Sequence, residues 1–261
     1  MKHSYLDSFS NLDSFIHHLD ARAKIVMFFS LVILAVSTPA RDYYAFAVYF
    51  GILFFLLLMS RLPLGHVFKR SLVVVPFVLM VAVFIPFFKA NTGTGGYNLG
   101  GINMSKSGLL VFWNVVVKSY IGVISMIILS SSTSFKDLMR GFERLKVPPI
   151  FTAIASFMYR YLFVVADEAM RMKIARDSRN FSGKWIWDTR VVAHMIGSLF
   201  MRSYERGERV YLAMVSRGYD GTMRGFDDTQ LSRKDLLFAS GIILAILLIR
   251  LSVLINLKLV N

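Results

Sequence analysis

Ala175-Arg176-Asp177 and Ser216-Arg217-Gly218 place two arginines 41 positions apart, each with a carboxylate nine residues upstream, Asp167 and Glu208. An arginine side chain carries a permanent charge and five N–H donors in a planar fork that matches carboxylates and carbonyls. Presented twice, at the ends of two amphipathic runs, such a fork suggests a paired receptor. A second candidate is Lys118, with Asn114 one helical turn before it in an apolar run. A cation at that depth of a bilayer is costly, and it is usually functional or buried in protein. Packing against a partner subunit or another span is preferred here over substrate binding. Bond-making chemistry finds no support. His3, His17, His18, His66 and His194 have no metal-ligand spacing, and no Ser/His/Asp arrangement is recognisable. Gly100 to Ser107 approaches a phosphate-binding loop, but Ser105 replaces the second glycine and no preceding strand is expected.

The elements that must position these residues belong to a membrane protein. The chain of 261 residues is 56% hydrophobic with a mean hydropathy of +0.57, whereas soluble domains hold about 45–50% apolar residues. Cysteine is absent, which excludes disulfides, thiol chemistry and cysteine-based metal sites. The net charge of +14 would suit a nucleic-acid binder, but the positive residues follow the loops, as they do on the cytoplasmic side of membrane proteins. No nucleic acid is therefore expected as a partner. The first twenty residues are polar and include Asp7, Asp13 and Asp20, so no cleavable signal is expected.

Five segments approach the roughly 20 apolar residues that a bilayer requires: Ala23–Thr38, Tyr43–Met59, Ser71–Phe88, Leu109–Ser131 and Leu236–Leu257. The first two read as a tight helical hairpin around Pro39 to Asp42. Pro76 and Pro86 predict a kink in the third. Arg250 lies near the outer end of the last span and reaches the interface by snorkelling. Arg22 and Lys24 precede the first span, and Arg61, Lys69 and Arg70 follow the second. Residues 133–235 hold 18 Lys and Arg against 12 Asp and Glu. These regions read as cytoplasmic, and the Gly/Asn-rich stretch at 89–108 reads as an external loop. The expectation is an all-α integral membrane protein with its N-terminus in the cytoplasm. Residues 1–132 carry the first four spans, 133–235 a cytoplasmic domain of about three helices, and 236–261 the last span.

Within that insertion, Ser134 is read as the N-cap of a helix over 135–146, with Asp137 in a near capping box and Pro148-Pro149 as its end. A second helix runs from Ile150 to Arg176 or beyond. Its first half is apolar and its second half charged, so it starts in the membrane or a protein core and ends in water. Phe181, Trp185 and Trp187 follow, suited to a headgroup boundary or to packing a bend. A third helix, from about Thr189 to Ser216, repeats that polarity. It includes a Glu205–Arg209 pair of favourable order and Gly218 in the position of a C′ glycine. Arg217 therefore falls where the helix dipole favours a cation. Arg202, upstream on the same helix, is expected to matter less.

The run from Tyr204 to Gly221, with Glu205-Arg206-Gly207-Glu208-Arg209-Val210-Tyr211-Leu212-Ala213-Met214-Val215-Ser216-Arg217-Gly218, resembles the hallmark segment of the T component of energy-coupling factor (ECF) transporters, the CbiQ/EcfT family. Leu19-Asp20-Ala21-Arg22-Ala23-Lys24 is similar to that family's Leu-Asp-Pro-Arg-x-Lys stretch, with Ala21 in place of proline. The resemblance spans almost the whole chain and looks closest to CbiQ, the cobalt/nickel branch. It implies a subunit of an ABC-type importer in the bacterial cytoplasmic membrane. Two CbiO-like ATPases would bind the ATP, so this chain needs no cofactor of its own. A CbiM-like membrane subunit would bind the substrate, and this chain would join them. By the same resemblance two coupling helices cross like an X, and each ends in an Ala-Arg-Gly-like tripeptide docked in one ATPase. Those tripeptides fall on Ala175, Arg176 and Asp177, and on Ser216, Arg217 and Gly218. Asp177 and Ser216 depart from the pattern, and Arg179 is the alternative first anchor. A vitamin importer of the same family is the nearer alternative. A membrane-embedded enzyme using Lys118 is the more distant one.

Overall fold

A computed structural model describes residues 13–40, 42–88, 96–99, 102–179, 187–221 and 232–260. Its described elements are α1 (Phe15–His18), α2 (Ala21–Ser37), α3 (Tyr43–Met59), α4 (Leu64–Phe88), β1 (Gly96–Leu99), β2 (Ile102–Ser105), α5 (Lys106–Ser132), α6 (Phe135–Arg144), α7 (Pro149–Ser178), α8 (Trp187–Val215) and α9 (Arg233–Val260). Among the described residues the fold is all-helical apart from one two-stranded hairpin. Each of the five apolar segments lies on a helix.

The chain divides into two compact units, one over Phe142–Asp228 and the other over Ser4–Gly141 with Thr229–Asn261. In the second unit α5 is central, packing most extensively on α4 and also on α2 and α3, while α9 packs on α2. The core is apolar and tight: Phe28, Leu31, Tyr49, Leu53, Leu56, Ile121, Ile128 and Ile246 are buried. On α3 the buried residues Ala45, Tyr49, Leu53 and Leu56 follow helical spacing, while Phe54, Phe55 and Leu58 face outward. Large apolar side chains on both faces are what a lipid-embedded helix requires, because the bilayer takes the place of water outside.

Among the described residues, three helical stretches are long and apolar enough to cross a membrane by length and composition: Gly108–Ser132, Pro149–Ser178 and Arg233–Ser252; Tyr43–Met59 is a shorter apolar helix. The first half of α7 thus reads as membrane-competent, although the charge pattern alone puts it in the insertion. The α2–α3 pair is looser than a tight hairpin, for α2 buries more of itself against α5 and α9. Thr38 still ties the two, its Oγ1 lying 3.2 Å from the Tyr49 hydroxyl. α4 continues through Pro76 without a break. The stretch read as an external loop contains a strand pair, with Gly96 opposite Ser105 and Leu99 opposite Ile102. Two residues, Gly100-Gly101, separate the strands, and that spacing is itself a hairpin signal. The near phosphate-loop motif therefore follows a strand after all, but Ile102–Ser105 form β2 where a phosphate loop would be, before Lys106 opens α5. Asn91 to Gly95, Gly100, Gly101, Phe181 and Trp185 lie outside the described residues.

Candidate functional site

The unit over Phe142–Asp228 carries the two arginines. α6 opens as expected: the Asp137 N–H donates to Ser134 Oγ at 3.2 Å while the Ser134 hydroxyl donates back to Asp137 Oδ2 at 2.6 Å. The helix stops at Arg144, and Lys146 takes a left-handed φ of 65°. Pro149 then serves as the first residue of α7, where its missing N–H costs nothing. So the Pro-Pro pair starts the next arm as much as it ends the last.

α7 and α8 pack on each other in antiparallel order. Phe157, Tyr161 and Val165 of α7 line a groove with Ser203, Val210, Tyr211 and Met214 of α8. Glu168 accepts from the Arg202 guanidinium across the pair. Arg202 is thus a tie between the arms, a role its sequence position gave no sign of. Arg176 lies eight residues beyond this ion pair on α7, and Arg217 fifteen residues beyond it on α8. At about 1.5 Å per residue the two tips stand roughly 12 and 22 Å from the ion pair, in opposite directions.

The two tips differ in detail. α8 ends in a Schellman motif: the Gly218 N–H donates to Val215 O at 2.9 Å and the Tyr219 N–H to Met214 O at 3.0 Å. Gly218 has φ +81° and open space around it, so glycine is there for backbone conformation and not for packing. Arg217 sits at the Ccap position and is exposed; its side chain makes no hydrogen bond among the described residues. Arg176 lies inside the last turn of α7 and is half-buried. Its Nε and Nη2 both donate to Asp177 Oδ1, at 3.0 and 2.8 Å. The residue that departs from the small-flank pattern is therefore the one that engages the first guanidinium. Arg179, the alternative anchor, is the Ccap of α7 and donates its backbone N–H to Arg176 O. Glu205 and Arg209 pair at 3.8 Å, as their spacing predicts.

Both arms also expose apolar stripes. Ile150, Ile154, Met158 and Leu162 recur every four residues on α7, each about half exposed or more, and Ile196, Phe200 and Tyr204 do the same on α8. Apolar faces of this extent on a folded surface mark contact with a partner or with lipid.

A chain with an all-helical membrane core and paired arginine-tipped helices can be set against known proteins. The CbiQ family model, described as a cobalt transport protein, matches residues 13–226. The chain belongs to the CbiQ family. An energy-coupling factor transporter transmembrane protein EcfT of Staphylococcus aureus is 28% identical over 228 residues, 82% of each chain. The EcfT of Brevibacillus brevis is 27% identical over 246 residues, covering 88% of this chain and 89% of its own. A fused cobalt transport protein CbiMQ of Methanocorpusculum labreanum is 29% identical over 109 residues, 42% of this chain and 18% of that protein. The protein is thus a multi-pass transmembrane component of a transporter, of the T type found in ECF systems, and not an enzyme.

The intramembrane candidates stand in the other unit. Lys118 is the thirteenth of the 27 residues of α5, so its central position is no boundary error. Its Nζ donates to Val36 O at 2.7 Å, in the last turn of α2. That carbonyl is one of those a helix end leaves unpaired, and the dipole there favours a cation. Lys118 is thus tied to another span. Arg250 does more than snorkel, for its Nη1 is buried without a partner among the described residues. Asn114 Oδ1 is likewise buried and unpaired. Among the described residues no three His, Asp or Glu side chains gather as metal ligands would.

Lys24 is the residue that sequence reasoning missed. Read as a loop charge before the first span, it is 2% exposed. Its Nζ donates to His17 O at 3.1 Å and to Ser132 O at 2.9 Å. Its signal was available: Asp20 and Lys24 stand i,i+4 in the favourable order, with Ala23, Ile25 and Met27 buried around them.

Proposed function

We propose that the chain is the coupling subunit of an ECF-type importer, transmitting the ATP-driven movement of two ATPase subunits to a membrane subunit that binds the substrate. The observation that carries this reading is the antiparallel pair of arms with an arginine at each far end. Two like tips at opposite ends of the pair suit two copies of one receptor. A guanidinium fork gives each tip a charge-assisted hold on carboxylates and carbonyls. When two ATPases close on ATP, the tips are drawn together and the Glu168–Arg202 tie makes the two arms move as a pair. The apolar stripes on α7 and α8 give a membrane subunit its footing. ATP and its cofactors belong to the partners.

Cobalt or nickel is the substrate class we favour, supported by the family description and by the relative named as a fused cobalt transport protein. The EcfT-named relatives support a second reading, in which the substrate subunit is a vitamin binder. We place the chain in a prokaryotic cytoplasmic membrane with its N-terminus and the Phe142–Asp228 unit inside. Two measurements test this. The tagged chain, expressed with its partner genes, should co-purify with two copies of an ATPase and with a membrane subunit. Arg217→Ala should lower ATPase retention, and recovery of the full complement of ATPase with the Arg176→Ala/Arg217→Ala chain would refute the docking. Uptake of radiolabelled Co²⁺ or Ni²⁺ by cells expressing the set supports the metal branch, and uptake of neither overturns it.

A further inference from the structure

The polypeptide leaves the bundle unit after Gly141 and rejoins it at Thr229. Asp137 lies four residues before that exit and Asp235 six residues after that return. Both carboxylates, together with Asp20, act on the charge of Lys24. The Asp20 N–H donates to Asp235 Oδ2 at 3.3 Å, and Asp20 Oδ1 caps α2 by accepting from the Arg22 N–H at 2.9 Å. Lys24 itself holds the last carbonyl of α5, two residues before the cap of α6, and a carbonyl of α1. The exit is also pressed onto α2. A Cβ on Gly141 would come within 2.8 Å of Ile25 Cδ1 and 3.2 Å of Ala21 Cβ, so α6 and α2 are in direct contact at the residues that follow Asp20 and Lys24.

We infer that Lys24 is a positioning residue for energy coupling: it holds the α5–α6 connection to the start of α2 beside Asp20, whose N–H holds Asp235 of α9, so that force entering through α6 and α9 reaches the transmembrane bundle at one point. A lysine held only for topology would keep its ammonium in water, as its long stem allows. This one is buried, and its ammonium is held by two carbonyls that come from α1 and α5. Removing a charge from such a set leaves its partners unsatisfied and lets the two connections move independently of α2.

The inference rests on the coupling reading above, so the experiment must separate the two. The whole complex is reconstituted in proteoliposomes, and ATP hydrolysis is measured together with uptake of the cation that the unaltered complex carries, radiolabelled Co²⁺ or Ni²⁺. Arg217→Ala is the reference. Lys24→Met should retain assembly and ATPase activity but lower cations carried per ATP by roughly two- to thirtyfold, the range typical of residues on a coupling route. Asp137→Asn/Asp235→Asn keeps Lys24 and the side-chain shapes while loosening both connections, and it should lower the same ratio. Should Lys24→Met fail to assemble, the double variant decides. An unchanged ratio in the assembled variants, with Arg217→Ala defective, would overturn the role of Lys24 and leave the docking intact. Loss of uptake and hydrolysis in proportion to lost complex would make Lys24 merely structural and also overturn it. If Arg217→Ala behaves as the unaltered complex does, it is the coupling reading that fails.

Discussion

Arg176 and Arg217 differ in what each must give up to bind. Arg217 stands exposed at a helix end with its fork free of side-chain hydrogen bonds among the described residues, while Arg176 must leave Asp177. An exposed pair of this kind is worth no more than about 1 kcal/mol. Asp177→Ala should therefore tighten the first contact by up to about fivefold, read as ATPase affinity of the purified subunit by calorimetry. A weakened contact would mean that Asp177 itself touches the partner. Gly218→Ala tests the other tip. It forces a Cβ into a left-handed residue at a cost of about 1 kcal/mol, which should fray the end of α8 and weaken docking with Arg217 still present. At this scale the arginines and Gly218 were legible in the sequence because spacing and helix-end chemistry are local. Lys24 and Arg202 were not, because their partners lie far along the chain, at Ser132 and Glu168.

The helices are the most legible level of this protein. Ser134, the Pro148-Pro149 pair and Gly218 carry start and stop signals, and α2, α3, α5 and α9 lie close to the limits expected from hydropathy. Their packing was less legible. Residues adjacent in sequence suggested that α2 pairs mainly with α3, yet α2 packs more on α5 and α9, since an apolar helix in lipid can present any face to a neighbour. The strand pair was read as loop because the Gly and Asn residues around it dominate a short apolar alternation. The arms give the element-scale prediction. Ile154→Lys puts a charge in the exposed stripe of α7, well away from both tips. It should abolish co-purification of the membrane subunit while ATPases remain bound. Loss of the ATPases instead would mean that the stripe faces them.

For the whole molecule the division into a bundle unit and an arm-bearing unit fits a transducer, which needs one part to stay in the membrane and another to engage a soluble motor. Orientation is testable because the chain has no cysteine of its own. Cysteine placed at Asn98 should react with an impermeant thiol reagent on intact cells, and cysteine at Ser178 should react only after the membrane is opened. The reverse pattern would put the arms outside, where no ATPase could reach them. The central claim, that two arginine tips couple ATP hydrolysis to transport, is tested most directly on the reconstituted complex carrying Arg176→Ala/Arg217→Ala. Truncating a buried, hydrogen-bonded charge at an interface costs about 2–5 kcal/mol, so each change should loosen one ATPase and the pair should be worse than either. Arg217→Lys should rescue only in part, for lysine keeps the charge and lacks the fork. The account predicts that the double variant inserts normally, retains little ATPase and carries no substrate. Substrate uptake and ATPase retention equal to those of the unaltered complex would contradict it.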